Sequence, residues 1–393
     1  MCIRDRYWRI ETMSINETPK VKYYESDSNP TLSGTGAEIP CFIGITGNTT
    51  PKTGIQKFKN FQQVYKTVEN GGIGTDLENN QLLIAVNDFF KEIKKFNSDD
   101  ITVPYIYIID LGAAEVSTPK PWLDAMNEAK KKREIQVESY VGFKKEDTAK
   151  SIISIMNSAA ELIKQDSEHG NPRIAYFTVI GTNDEESKAY TDDSQESYIQ
   201  NTRVVLMPAE DFGKNVAKVC ITPYYEEPGY TDFRTITPGK YSNRTREECD
   251  ELQAAGITFI NDELAASEIH PRINLAVSTA FATTPDNRPN DSLIHARRNV
   301  DQLIREVYDA LYVQLKRNET ETNLSYLQSD IDVIVDRKIS DGYMMNGTEI
   351  KVVESEINPY DLKCEGVAVP VNSTLLIGFS MYIESPNATV GGN

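Results

Sequence analysis

The chain has 393 residues, 41 Lys and Arg against 59 Asp and Glu, and a formal net charge of −18 at neutral pH. At 39% hydrophobic residues it can bury a real core, while its acidic balance excludes a nucleic-acid surface spread over the whole molecule, which would need excess Lys and Arg to displace counterions. Three widely separated His (His169, His270, His295) and five Cys without Cys-x-x-Cys spacing (Cys2, Cys41, Cys220, Cys249, Cys364) exclude zinc ribbons and thioredoxin-like sites and leave Cys as small apolar filler.

At about 150 residues per domain, the length suggests two or three domains. Residues 1–12 are charged, lack an apolar core and share nothing with the rest of the chain; they are expected to be a non-native extension, with the natural start at Met13. Residues 13–35 form a polar N-terminal arm with Pro19 and Pro30, holding one short run of strand character, Val21-Lys22-Tyr23-Tyr24-Glu25. The Gly-bounded apolar run 39–47 predicts a buried strand. A short helix is expected near 61–65 and a clear one over 79–96, where Leu82, Leu83, Val86, Phe89, Phe90 and Ile93 fall at three- and four-residue spacing. Next come a strand at 103–112, a helix at 122–132, a strand at 135–141, a helix at 147–165 and a strand at 173–180. Further strands are expected at 204–206 and 257–260, with helices at 210–219 and 247–255, and residues 273–281 close the region.

Strands that are apolar throughout, alternating with amphipathic helices, predict a mostly parallel sheet covered by helices on both faces. The polar, Pro-containing stretch 283–290 marks a boundary. Beyond it lies a long helix, 292–317, with Leu293, Val300, Leu303, Val307 and Leu311 on one face and Arg297, Arg298, Asp301 and Arg305 on the other. A second helix (323–339) and three strands (350–353, 362–369, 374–383) complete a smaller C-terminal α+β domain. No apolar stretch approaches the roughly 18 residues of a membrane-spanning helix.

The chemistry-bearing motifs are absent. There is no Walker A pattern, no Gly-x-Ser-x-Gly, no His-Glu-x-x-His and no EF-hand loop. Gly71-Gly72-Ile73-Gly74 lacks the third glycine of a dinucleotide loop and is expected to be a flexible turn. A Ser-His-Asp hydrolase could sit on such a sheet, with Asp110 at a strand end, but His169 comes after a helix where the base should begin one, and no nucleophile loop appears downstream. Asp110 is better read as closing its strand by satisfying donors of the next turn. The acidic segment 184–196 could hold a hard cation but is more simply a solvated face.

The order and spacing of several stretches resemble a contractile-tail sheath protein. Pro40-Cys41-Phe42-Ile43-Gly44-Ile45-Thr46 is similar to that family's opening strand; residues 58–64 come next as they do there, and the Leu82 helix ends in Phe89-Phe90. Glu251-Leu252 with Ala255-Gly256-Ile257 matches a helix–turn–strand, and Arg297-Arg298 heads the long C-terminal helix. Gly342 and the strand around Cys364-Glu365-Gly366-Val367 complete the pattern. The resemblance covers most of residues 36–385; Pro40 and Cys41 in the first strand, and the lack of room for an extra β-barrel domain, depart from larger sheaths.

The resemblance implies a sheath domain of subtilisin-like topology without the triad (36–283), a C-terminal sheath domain (284–385) and a flexible tail (386–393). It implies a homo-oligomer of stacked rings around an inner tail tube, with baseplate and tail terminator partners. It implies no cofactor, no nucleic acid and no membrane insertion, and a place in a virion tail assembled in the host cytoplasm. Subunits would be linked by strand addition. The candidate donors are Val21, Lys22, Tyr23, Tyr24 and Glu25, and Leu375, Ile377, Phe379, Met381 and Ile383; the acceptor is the 350–369 hairpin of a neighbour. Arg297, Arg298 and Arg305 are candidates for a salt-sensitive, tube-facing contact. The alternatives are an α/β hydrolase or nucleotide-binding enzyme, and a non-contractile virion structural protein.

Overall fold

The computed structural model describes residues 8–10, 21–23, 37–51, 54–96, 103–144, 147–179, 188–265, 267–283, 290–312, 321–354 and 362–371. Two short N-terminal strands, β1 (Trp8–Ile10) and β2 (Val21–Tyr23), pair antiparallel.

The apolar runs form the central sheet: β3 (Ile39–Gly44), β5 (Ile106–Asp110), β6 (Ile135–Val141), β7 (Ile174–Val179) and β8 (Val204–Pro208), with β4 (Gln56–Phe58) on the edge. Their order is β4-β5-β3-β6-β7-β8. Every pair is parallel except β4 with β5. The first parallel strand is therefore second in space, with the later ones filling outward on its other side. That is a doubly wound arrangement, and it sends the connecting helices to both faces.

One face carries α2 (Gln81–Phe96) and α5 (Phe212–Ile221), packed on Phe42, Ile106, Ile108, Tyr176 and Val205. These helices approach closely: a Cβ on Gly213 would lie 1.9 Å from the Ala85 carbonyl oxygen, so only glycine fits the crossing. The other face carries α3 (Pro119–Lys130), α4 (Ala149–Glu168) and α6 (Arg246–Ala254) over Ile43, Ile109, Phe177 and Leu206. There Tyr140 stacks on Phe177 at 4.3 Å and Trp122 on Phe143 at 5.1 Å. Local signals set the helix starts. Thr148 caps α4 through the Ser151 amide, and Thr245 with Glu248 forms a reciprocal capping box on α6.

Two expectations change. The 71–74 turn is pinned, not flexible: the Ile73 amide donates to the Val64 carbonyl and the Gly74 amide to that of Lys66, and Ile73 is buried. It comes after the one-turn helix α1 (Phe61–Val64). The strand expected at 257–260 is reduced to an isolated parallel bridge between Ile257 and Leu206. Instead β9 (Ile260–Ala265) and β10 (Glu268–Ile273) form an antiparallel hairpin, which carries Pro271 and whose acidic, mixed sequence gives little strand signal. Residues 279–282 form a 3₁₀ turn.

Among the described residues, the C-terminal part holds α7 (Ile294–Tyr312), α8 (Glu321–Ser340) and the hairpin β11 (Glu349–Glu354) with β12 (Leu362–Val367); the strand expected at 374–383 lies outside them. Its core is Leu303, Val307, Leu327, Ile331, Val335 and Met344. The first turns of α7 belong elsewhere: Ile294 joins the core of the α2–α5 face, and Ala296 packs with Val277 and Phe281. One helix thus has its beginning in the α/β layer and its end in the C-terminal part.

Candidate functional site: a charged seam under the long helix

Arg297, Arg298, Asp301 and Arg305 recur on α7 at spacings that put them on its buried side, against the amino-terminal edge of the sheet. Arg297 donates from Nε and Nη2 to Asp301 Oδ1 at 3.0 and 2.7 Å, and from Nη1 to Asp291 at 2.6 Å. The other Asp301 oxygen accepts from Arg203 at 2.9 Å. Arg203 stands at the start of β8 and also donates to Ser167 Oγ at 2.7 Å and to the Arg173 carbonyl at 3.1 Å. Arg298 reaches across to Glu38, just before β3, at 3.0 Å. It also donates to the carbonyls of Thr222 and Pro223, after α5, at 2.6 and 3.3 Å. Arg305 donates to the Arg133 and Pro172 carbonyls.

The seam extends at both ends. Deeper in the layer, Arg173 pairs with Glu138 at 3.0 Å and with Asp166, which also takes Lys130 at 2.9 Å. Ahead of it, His295 meets Glu227 at 2.9 Å. Beyond it, Glu306 accepts from Lys338 and Arg337 of α8, each at 2.7 Å, and Lys338 also donates to Tyr224 at 2.9 Å. Tyr225 stacks on Tyr343 at 4.4 Å, closing the junction between the two parts of the chain.

Burial and pairing compete here. Burial would raise the Asp301 carboxyl, but Arg203 and Arg297 outweigh it and hold it below the usual range. Burial would lower the Arg297 and Arg298 guanidinium groups, yet Asp301 with Asp291, and Glu38, hold them above theirs. For Arg305 burial wins and lowers the group to about 10. Such a network fixes one docking geometry more than it adds net stability, because desolvating the ions offsets their attraction, while losing one partner strands the other.

The structure distributes the sequence-predicted residues unevenly. Val21, Lys22 and Tyr23 lie in β2, paired with β1. Tyr24, Glu25, Leu375, Ile377, Phe379, Met381 and Ile383 lie outside the described residues. The expectation of tube-facing arginines is corrected: Arg297 and Arg298 are 8% and 2% exposed. Arg305 is half-buried and donates to backbone carbonyls. A guanidinium already held by such partners is not free for a salt-sensitive contact with a second protein. The sequence puts Arg297, Arg298, Asp301 and Arg305 on one helix face; that Asp301 takes Arg203 and Arg298 takes Glu38 does not follow from it, because only the tertiary fold brings those partners in.

Asp110 closes its strand. It accepts from Thr46 Oγ1 at 2.6 Å, the Gly112 amide at 2.7 Å and Asn48 Nδ2 at 3.0 Å. His169 ends α4, which leads into the start of β7, so the two lie at opposite edges of the sheet and cannot share a triad. Among the described residues, no group of three or more His, Cys, Asp or Glu could hold a metal ion, and no helix is long and apolar enough to cross a membrane.

No family profile and no curated protein sequence matches the chain. Solved structures do. The helical sheath of the anti-feeding prophage in its contracted state aligns over 94% of this chain and 99% of that chain, with TM-score 0.62 and 12% identity. The PVC sheath complex of an extracellular contractile injection system, also contracted, aligns over 94% and 99%, with TM-score 0.63 and 10% identity. A sheath tail protein from Desulfitobacterium hafniense aligns over 89% and 100%, with TM-score 0.56 and 9% identity. The chain has the fold of contractile sheath proteins along nearly its whole length.

Proposed function

We propose that the chain is a structural subunit of a contractile sheath, polymerising around an inner tube and shortening to drive that tube through a target envelope. The observation that carries this reading is the end-to-end alignment with sheaths solved in the contracted state, over 99% of those chains. On this reading the α/β layer is the triad-free, subtilisin-like domain that the resemblance implies, and residues 284–385 are the C-terminal sheath domain. The partners are further copies of the chain, a tail tube, a baseplate and a tail terminator, in a tail assembled in the host cytoplasm.

The charged seam suits this work. A subunit that passes force between neighbours must not shear internally, and a network satisfied in only one docking geometry holds α7 to the layer. Connection between subunits then falls to strand addition, whose main-chain hydrogen bonds persist while linkers move. The β11–β12 hairpin suits the acceptor role, because among the described residues it is a two-stranded sheet with no third strand on either side. Residues 21–25 and 375–383 are the donors we assign.

Negative-stain microscopy of the purified chain tests this. We expect hollow tubes from the full chain, and folded, unpolymerised subunits when residues 13–35 are deleted. A monodisperse monomer that hydrolyses esters or nucleotides would overturn the sheath reading. An unfolded deletion product would place the arm in the subunit core instead.

A further inference from the structure

The two edges of the β11–β12 hairpin are unlike. On the β11 side, the side-chain amide of Gln328, on α8, reaches the main chain of the strand. Its Nε2 donates to the Ile350 carbonyl at 2.8 Å, and its Oε1 accepts from the Val352 amide at 2.9 Å. The same Nε2 donates to Asp332 Oδ1 at 2.7 Å, one turn on along α8, which holds the amide in this orientation. Leu327 and Ile331 of α8 pack with Ile350, Val352 and Cys364, so the helix that supplies Gln328 is itself anchored on the hairpin. One side chain thus satisfies a main-chain donor and an acceptor two residues apart, the groups that a further strand would use.

The pairing fixes what faces outward on the far side. A main-chain N–H has one proton, and that of Val352 goes to Gln328, away from β12. In an antiparallel ladder, residues directly opposite are of one kind, and hydrogen-bonded pairs alternate with non-hydrogen-bonded ones. Val352 lies opposite Cys364 and Ile350 opposite Gly366. Those are the non-hydrogen-bonded pairs, so the N–H and C=O groups of Cys364 and Gly366 point out from the β12 edge. Farther along the hairpin the Met345 amide donates to the Val369 carbonyl and the Val371 amide to that of Tyr343, so there too the bonds between the strands belong to odd-numbered residues. Among the described residues no strand lies beyond β12, and no side chain meets Cys364 or Gly366 as Gln328 meets β11. An unpaired edge is a template for another chain, and folded proteins cover the edges that are to stay single. This hairpin covers one edge and leaves the other bare.

We propose that Gln328 is an edge guard: it closes β11 to strand addition and leaves the β12 edge, at Cys364 and Gly366, as the place where an extended segment of a second copy of this chain joins. The inference deepens the sheath reading and rests on it. Residue-resolved hydrogen exchange of the full chain, below and above the concentration at which tubes form, tests it. Below that concentration the Val352 amide should be protected about tenfold more than those of Cys364 and Gly366. In the tubes the protection of Cys364 and Gly366 should rise by about tenfold or more, with Val352 unchanged. Gln328→Ala, and Gln328→Leu, which keeps bulk without the amide, should both release the Val352 amide in the free subunit. Protection of Val352 that is unchanged in both variants would overturn the guard. Cys364 and Gly366 already protected in the free subunit would mean that a segment of the same chain covers the edge, and amides still unprotected in the tubes would put the junction elsewhere; either result overturns the β12 assignment while the sheath reading stands. A chain that forms no tubes at any concentration removes the sheath reading, and the second copy with it, while Val352 in the two variants still decides the guard.

Discussion

Replacing Arg298 with methionine is expected to destabilise the chain by about 3–5 kcal/mol, the range seen when one partner of a buried ion pair is removed. The side chain is 2% exposed and holds three acceptors, Glu38 just before β3 and the adjacent carbonyls of Thr222 and Pro223 after α5. Methionine fills similar volume but donates nothing, so the Glu38 carboxylate and two carbonyls lose their donor beside the buried Tyr176 and Cys220. Lysine at this position keeps the charge but not the planar fork, and should recover only part of the loss. Glu38→Gln in the methionine background removes the stranded charge and should also recover part of it. Urea midpoints at unchanged m-value measure all three. A loss below about 1 kcal/mol for Arg298→Met would put the contact with ordinary surface pairs and end the picture of a buried seam.

Asp301→Asn should cost a similar amount, about 3–5 kcal/mol, and should also change the response to acid. Asp301 is the carboxylate shared by Arg203 and Arg297. With a neutral amide there, two buried guanidinium groups face each other with one fewer negative charge between them. The folded-state pKa of Asp301 is depressed. Its contribution is therefore fully present above the unfolded value, about 3.9, and is lost as the pH falls from there through the folded value. Glu306, at the other end of α7, is depressed as well by Lys338 and its neighbours in spite of burial, and acts with the same sign. Stability measured from about pH 7 down to about pH 3 should fall more steeply for the unmodified chain than for Asp301→Asn. Parallel curves would assign the acid sensitivity elsewhere.

How much of this was legible in advance differs by element. The sheet strands were plain because a parallel strand buried on both faces is apolar throughout, as in Ile39–Gly44 and Ile174–Val179, whose residues are all buried. The helices were plain because their burial repeats with the helical period, as at Leu82, Val86, Phe89 and Ile93. The β9–β10 hairpin gives little strand signal because, of the three cross-strand pairs on its core-side face, one is solvent-exposed and another holds Asp262, while its other face is charged, so neither period dominates Ile260–Ile273. The turn at 71–74 was misjudged because three glycines suggest freedom, whereas a Cβ on Gly72 would lie 2.3 Å from the Lys66 carbonyl oxygen. That closeness is a tertiary fact.

The arginines show the same division. Sequence placed Arg297, Arg298 and Arg305 on the polar side of an amphipathic helix, and polarity usually means solvent. The structure turns that side inward, because α7 lies on the amino-terminal edge of the sheet, where Glu38 and Arg203 stand, with Asp291 of the turn ahead of the helix completing the set.

By itself the sequence determined the α/β layering, the helical C-terminal part and the absence of catalytic motifs, since each is a matter of local period and residue type. The tertiary structure alone decided which charges are partners, which polar face is buried and where apolar surface is left over. Those depend on groups up to 260 positions apart, as Glu38 and Arg298 are, meeting at one point in space, and no local pattern encodes such a meeting.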